Sequence, residues 1–415
     1  MKYILIIVPF DNIYPPMNGG MQRFFHIMHQ LAKHFKLTAI IHQDKESFLK
    51  CVEDYPAIAA ANIYSTKDIV VKSIFSLAPL KWEKALLSRW YQRELNRPAD
   101  GSLIKYYPIL TRLLKDQQFD AIILENMATL NAVKIVRRYD KKVKIIYNAH
   151  NVDSKLAEAA FRRNEITQKQ LQSCVDSESN FYRKVDAVFA CSADDRDALL
   201  KMNKKQIAIA VIPNGVIIPA ETFDNAVRDE YCNYLIFCGA LWSIPNAEGL
   251  QWFCNKIWPL VLSQFPDLKL LVVGSGKLPD KYLDIANTAN IEFSGAVPDV
   301  KTWYNKAAIA IVPLLTGSGT RLKVLEAMGL GVPVISTTIG AEGIEYSSGK
   351  NIIITDDESE FAIEIAKFLK NKQLRINIAI AARSLAIKKY SWDEIGELIK
   401  SELDPVGHHN GLHLI

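Results

Sequence analysis

Short apolar runs rich in Val and Ile alternate along this chain with longer amphipathic stretches, and the alternation restarts once. In the first half, strand-like runs fall at 2–9, 37–42, 119–124, 143–148, 185–190 and 207–212, with helical patterns between them, as at 20–34 and 155–184. Strands separated by helix-length segments pair in parallel through βαβ crossovers. After Pro213-Asn214-Gly215, a strong turn signal, new runs follow near 233–238, 268–273, 291–293, 308–312, 333–336 and 352–354. Helical patterns accompany them near 246–264, 280–287, 299–306, 321–329, 358–370 and 373–389. The pattern predicts two successive α/β domains, each a doubly wound parallel sheet, over 1–215 and 216–392. A C-terminal helix over 393–415 is expected to return toward the first domain before a frayed tail. A length of 415 residues fits two cores better than one.

Composition narrows the class. With 49% hydrophobic and 23% charged residues, the chain can bury ordinary globular cores and is not a disordered protein. Its six cysteines are scattered, with no C-x-x-C pair, and read as free thiols of a reducing compartment. The apolar start, Tyr3 to Phe10, is too short to span a bilayer and lacks a cleavage site. It reads as a buried first strand, and a cytoplasmic protein is expected. The first 215 residues carry about +10 and the remainder about −5, an asymmetry that points either to an anionic partner or to a solvated basic face. Residues 81–97 interleave Trp82, Trp90 and Tyr91 with Lys81, Lys84, Arg89, Arg93 and Arg97. That mixture suits a helix lying on the inner face of an anionic membrane, or an ordinary helix packing its aromatics inward.

In open α/β sheets ligands sit outside the carboxyl ends of the strands. Two such edges facing each other would make a cleft, with a donor on one wall and an acceptor on the other. The segment richest in chemistry runs from Val312 to Ile344. A buried strand ends at Val312-Pro313, a loop Gly317-Ser318-Gly319-Thr320 follows, and an apolar-periodic helix begins with Arg321, Leu322 and Lys323. Glycines bring backbone N–H groups close to a ligand, and a helix N-terminus favours an anion, so a diphosphate is the natural guest. Arg321 and Lys323 add positive charge, and Glu326 offers a carboxylate suited to ribose hydroxyls.

On these residues the sequence resembles the donor-site signature of the family 4 glycosyltransferases, which have the GT-B fold of two Rossmann-like domains. The resemblance extends along the chain. It takes in Pro16-Met17-Asn18-Gly19-Gly20, Tyr147-Asn148-Ala149-His150-Asn151-Val152, Ile212-Pro213-Asn214-Gly215-Val216, Phe237-Cys238-Gly239-Ala240-Leu241, Gly295-Ala296-Val297-Pro298-Asp299-Val300 and Tyr390-Ser391-Trp392.

The resemblance implies a retaining, metal-independent glycosyltransferase acting in surface-glycan or glycoconjugate biosynthesis. Its donor would be a nucleotide diphosphate sugar, UDP before GDP, and its acceptor a glycan, a lipid-linked molecule or a protein. No nucleic acid partner and no cofactor are implied. Gly19, Gly20, Gly239, Val297, Gly317, Ser318, Gly319, Thr320, Arg321, Leu322, Lys323 and Glu326 become the donor-binding positions. His150, Arg321, Lys323 and Glu326 become the catalytic ones. Glu125 and Asn126, at the end of a strand, are candidates for the acceptor.

Two departures stand out. Ser318 occupies the position of the family's first motif glutamate, which puts the level of activity in question. No cation follows Gly239, where many relatives carry an arginine and a lysine; Arg321 and Lys323 are the substitutes. Asp194-Asp195 and Asp356-Asp357 do not read as metal motifs, and a metal site among His408, His409 and His413 is not expected. The alternatives are a nucleotide-sugar epimerase or phosphorylase of related fold, and a non-catalytic nucleotide-sugar-binding protein. A hydride-transferring enzyme is disfavoured because no G-x-G-x-x-G follows the first strand.

Overall fold

A computed structural model of the chain describes residues 1–9, 13, 14, 16, 19–68, 102–181, 184–202, 207–219, 233–317 and 319–404. The expected membrane-surface helix over 81–97, Ser318 and the tail histidines lie outside the described residues. The chain forms two compact units: Met1–Ile212 together with Ile395–Ile415, and Pro213–Glu394.

The first unit is built on a seven-stranded sheet in the order β3-β2-β1-β4-β5-β6-β7. Its strands are β1 (Tyr3–Ile7), β2 (Lys36–Ile41), β3 (Asn62–Ser65), β4 (Ala121–Glu125), β5 (Lys144–Asn148), β6 (Ala187–Ala190) and β7 (Ala208–Val211). All neighbours are parallel, with Ile4 of β1 set between Leu37 of β2 and Ala121 of β4. The chain order reverses between β1 and β4, which makes that gap the topological switch point of the unit.

The second unit holds a six-stranded parallel sheet in the order β10-β9-β8-β11-β12-β13. These strands are β8 (Tyr234–Cys238), β9 (Lys269–Val273), β10 (Ile291–Gly295), β11 (Ile309–Val312), β12 (Val334–Ser336) and β13 (Ile353–Ile354). Here the switch point lies between β8 and β11. Each unit has its own apolar core, around Tyr106 and Tyr147 in the first and around Phe237, Trp258 and Tyr304 in the second.

Several local expectations change. Strand β3 was not expected: it is a four-residue edge strand whose burial alternates, too short to stand out as an apolar run. The helix expected over 155–184 is two helices, Asp153–Arg162 and Gln168–Phe181. Asn164 breaks it by adopting φ 59°, a left-handed conformation that ends helices and that Asn tolerates. Gly19 and Gly20 form the first turn of the helix Gly19–His34, which begins one residue ahead of the expected 20–34. Residues 280–287 form 3-10 turns instead of an α-helix. The stretch over 246–264 contains a wide π turn, Phe253–Ile257, between the helices Ile244–Trp252 and Trp258–Leu262. Pro259 follows that turn and has no N–H to continue the regular ladder.

Candidate active site

In the second unit the strands flanking the switch point end in glycine-bearing loops. β8 runs into Gly239, and β11 runs through Pro313 into the loop ahead of the helix Leu322–Gly329. Gly317 and Gly319 have φ of 117° and 84°, a backbone that side chains resist. Gly317 also makes room for Arg321: a Cβ there would stand 2.9 Å from Nη2. The guanidinium donates through Nε to Ile339 O at 3.2 Å and faces Glu342 Oε2 at 3.4 Å. Burial lowers the pKa of Arg321, while Glu342 opposes the shift.

Lys323 takes a different direction from the same helix end. Its Nζ donates to Asn246 Oδ1 at 2.7 Å and lies 4.6 Å from the centre of the Phe237 ring. Asn246 in turn donates through Nδ2 to Ala240 O at 2.9 Å. A Cβ at Gly239 would meet Lys323 Nζ at 2.7 Å and Asn246 Nδ2 at 2.8 Å. The glycine after β8 is therefore required for the ammonium to reach that loop. Loss of hydration pulls the Lys323 pKa down to about 7, with Arg321 acting the same way and Cys238 and Glu326 opposing. The Tyr304 hydroxyl donates to Lys323 O at 3.2 Å and steadies the first helical turn.

Further donor-site candidates lie in the same unit. Thr320 Oγ1 is buried and makes no hydrogen bond among the described residues. Glu326 is half-buried and near enough to act on the ionisation of Lys323, Cys238 and Tyr304. Leu322 opens the helix and packs on the core, and Val297 does so from the loop after β10. Cys238 ends β8, but burial pushes its thiol up to about 12, so it is no thiolate nucleophile at neutral pH.

The first unit gathers a second group at its own switch point. Glu125 is the last residue of β4, Asn148 the last of β5, and His150 follows in the next loop. Asn148 Nδ2 donates to both Glu125 oxygens, at 3.0 and 2.9 Å, and His150 Nε2 stands 2.6 Å from Glu125 Oε2. Arg23, buried in the helix Gly19–His34, donates through Nη2 to Asn148 Oδ1 at 2.8 Å and through Nη1 to Ile212 O at 2.8 Å. The backbone before His150 is fixed from β6, since Ala149 N donates to Phe189 O at 2.9 Å and Cys191 Sγ lies 3.2 Å from the carbonyls of Ala149 and His150.

The acceptor candidates separate. Glu125 is fully buried, with its carboxylate turned onto Asn148 and His150. Asn126 sits on the turn after β4 at φ 56°. Asn148, Arg23 and Asn246 were not singled out from the sequence. Asn148 lies inside a quoted motif, but nothing in the spacing ties Arg23, 125 residues away, to it. Among the described residues no group of three His, Cys, Asp or Glu side chains is placed to hold a metal ion, and no helix is long and apolar enough to cross a membrane.

Two family models match the chain: Glycosyltransferase Family 4 over residues 81–218 and Glycosyl transferases group 1 over residues 232–371. Between them they take in more than half of it. The chain belongs to the family 4 glycosyltransferases. A 44.6 kDa protein in the cps region of Klebsiella pneumoniae is 26% identical over 96% of this chain and 99% of its own length. The phosphatidyl-myo-inositol mannosyltransferase of Mycolicibacterium smegmatis is 26% identical over 45% of this chain and half of its own. Among solved structures, sucrose-phosphate synthase from Thermosynechococcus elongatus superposes with a TM-score of 0.69 at 13% identity, covering 98% of this chain and 99% of that one. HepE of Anabaena gives 0.61 at 15% identity, over 98% and 100%. The shared fold is that of the GT-B glycosyltransferases. In this family 4 chain the loop after Gly239 carries no cation of its own, and the ammonium of Lys323 arrives there from the other side of the switch point.

Proposed function

We propose that this family 4 glycosyltransferase binds the diphosphate of a nucleotide sugar at the β8/β11 switch point of its second unit and transfers the sugar with retention. The observation that carries this reading is the arrangement of Lys323 over Gly239, beside a glycine loop and the helix end that bears Arg321. Backbone amides, one lysine and one arginine at a strand-loop-helix junction are an anion site. They stabilise the charge that grows on a leaving diphosphate. In this reading Glu326 holds the ribose, the Val297 segment lines the base, and Thr320 Oγ1 donates to a phosphate oxygen.

The bond from the sugar C1 to the phosphate oxygen breaks while a bond from C1 to the acceptor oxygen forms on the same face. The acceptor proton passes to the departing diphosphate. No side-chain nucleophile is needed, and the protein contributes positioning and electrostatics. His150 is assigned to the donor sugar or the β-phosphate. Arg321 and Lys323 meet the charge that a metal ion would otherwise neutralise, so chelation with EDTA is expected to leave turnover unchanged.

The donor proposal draws on UDP and UDP-glucose, with which HepE was crystallised. GDP is the next choice, since one relative is a GDP-mannose-dependent mannosyltransferase. Relatives include a phosphatidyl-myo-inositol mannosyltransferase and a lipopolysaccharide 1,2-N-acetylglucosaminetransferase, and we propose a glycan or lipid-linked acceptor. A thermal-shift panel of UDP-, GDP- and ADP-sugars tests the reading. One nucleotide class is expected to raise the melting temperature in wild type and to lose most of that effect in Lys323→Met. A panel in which none does so overturns it.

A further inference from the structure

We infer that Glu125 is a positioning residue that acts through His150, at the end of a hydrogen-bonded relay whose polarity is set by Arg23. This rests on the proposed role of His150 at the substrate. A carboxylate removed wholly from water is costly unless its oxygens are satisfied, and that of Glu125 is 0% exposed. Its partners fall into one direction only. A guanidinium has donors and no acceptor, so Arg23 Nη2 fixes Oδ1 of Asn148 toward itself. The Asn148 amide must then present Nδ2 to Glu125, as both contacts show. Glu125 is the acceptor there, and Oε2, shared with His150 Nε2 at 2.6 Å, is the acceptor for the ring as well. The proton of the imidazole is thereby held on Nε2, and any contact with substrate runs through Nδ1.

The relay lies beneath the β1/β4 switch point. Glu125 and Asn148 close adjacent parallel strands, and Arg23 comes from the helix that follows β1. His150 is the member at its outer end, with its side chain 8% exposed. A carboxylate in this place orients the ring and selects its tautomer. An apolar side chain here would leave Asn148 Nδ2 and His150 Nε2 without this acceptor. Gln at 125 breaks the polarity: an oxygen in the place of Oε2 can still accept from Asn148 and His150, but the amide hydrogens in the place of Oε1 then face the Asn148 donor.

The test uses the full chain and four proteins: wild type, Glu125→Gln, His150→Gln and the double variant. UDP release from UDP-glucose is followed together with the ring-nitrogen NMR signals of His150 during titration with UDP. Each single substitution is expected to lower kcat about 10- to 100-fold, with KM little changed, and the double variant to fall no further than His150→Gln. In wild type the His150 signals are expected to report the Nε2–H tautomer and to move with UDP; in Glu125→Gln the tautomer becomes mixed and the response weakens. Multiplicative losses in the double variant, or a His150 response equal in wild type and Glu125→Gln, overturn the inference. A UDP thermal shift with silent His150 signals also overturns it but leaves the donor-site reading standing. Absence of a thermal shift with every nucleotide sugar defeats that reading, and this inference with it. The ring signals decide even where UDP-glucose is not turned over.

Discussion

Lys323 is the residue whose surroundings differ most from those of an ordinary surface lysine. Its ammonium is pressed against Phe237 and Asn246, and burial brings its pKa down to about 7. A diphosphate beside it would favour the charged form and raise that value again. Binding then takes up a proton above about pH 7. Linkage fixes the sign: affinity for UDP-glucose is full below about pH 7 and falls as pH rises, by up to about tenfold per pH unit, until the liganded value is passed. UDP-glucose suits the measurement because its diphosphate does not titrate near neutrality. Calorimetric titration between about pH 6 and about pH 9, in buffers of differing ionisation heat, should show the slope and the proton uptake together. Lys323→Met should bind weakly with no slope. A flat wild-type profile would mean that the lysine does not meet the phosphates.

At the scale of elements, the helices Asp153–Arg162 and Gln168–Phe181 carry a pair of acids in close quarters. Glu178, fully buried in the second helix, accepts from Asp153 N at 2.8 Å and Ser154 N at 2.9 Å, capping the first helix from its neighbour. Burial, and then Glu178, push the Asp153 carboxyl up from 3.8 to about 7. A raised carboxyl stabilises the fold most below its unfolded value, and that contribution is lost as pH rises through about 7. Asp153→Asn keeps the backbone N–H and removes the charge. It should melt higher than wild type at about pH 8, by roughly 2–4 °C for each kcal/mol recovered, and match it near pH 4. Equal melting at both pH values would show that the pair carries no strain. The capping was not legible in the sequence, because it depends on Glu178 reaching the first helix from the second; the break is local, but a lone Asn at 164 is a weak stop signal. All strands but β3 were legible: continuous apolar runs such as Ala121–Leu124 have one stable place, a sheet buried on both faces. The glycine loop before Arg321 was legible for the same kind of reason, since loop and helix start are local. The Arg23–Asn148–Glu125–His150 relay was not, because its members come together only when the parallel sheet aligns the ends of β4 and β5.

Over the whole molecule, the two units keep separate cores, yet one helix belongs to both. Trp392–Leu403 begins in the second unit, and from Ile395 onward the chain is part of the first. Ile395, Ile399 and Leu403 recur every four residues and are buried at 1%, 1% and 6% exposure, forming one apolar stripe. Gly396 lies so close to Gln30 that a Cβ would run into its side chain. Lys2 Nζ donates to Leu403 O at 2.7 Å and pairs with Asp404 at 3.1 Å, and His34 faces Glu397 at 3.7 Å. The exposed ion pairs contribute little, so the apolar stripe decides the energetics. Each of its three side chains stabilises the first unit by about 1.5–3 kcal/mol when buried, against the roughly 5–15 kcal/mol that holds a typical domain folded. Removing residues 395–415 should therefore leave the first unit marginal while the core around Trp258 and Tyr304 stands. Scanning calorimetry of the full chain is expected to resolve two transitions, of which a bound nucleotide sugar raises the one belonging to the second unit. In the truncated chain that transition and its response to nucleotide should persist, and the other should drop steeply or vanish. If both transitions survive truncation unchanged, the stripe of Ile395, Ile399 and Leu403 is not what completes the first unit.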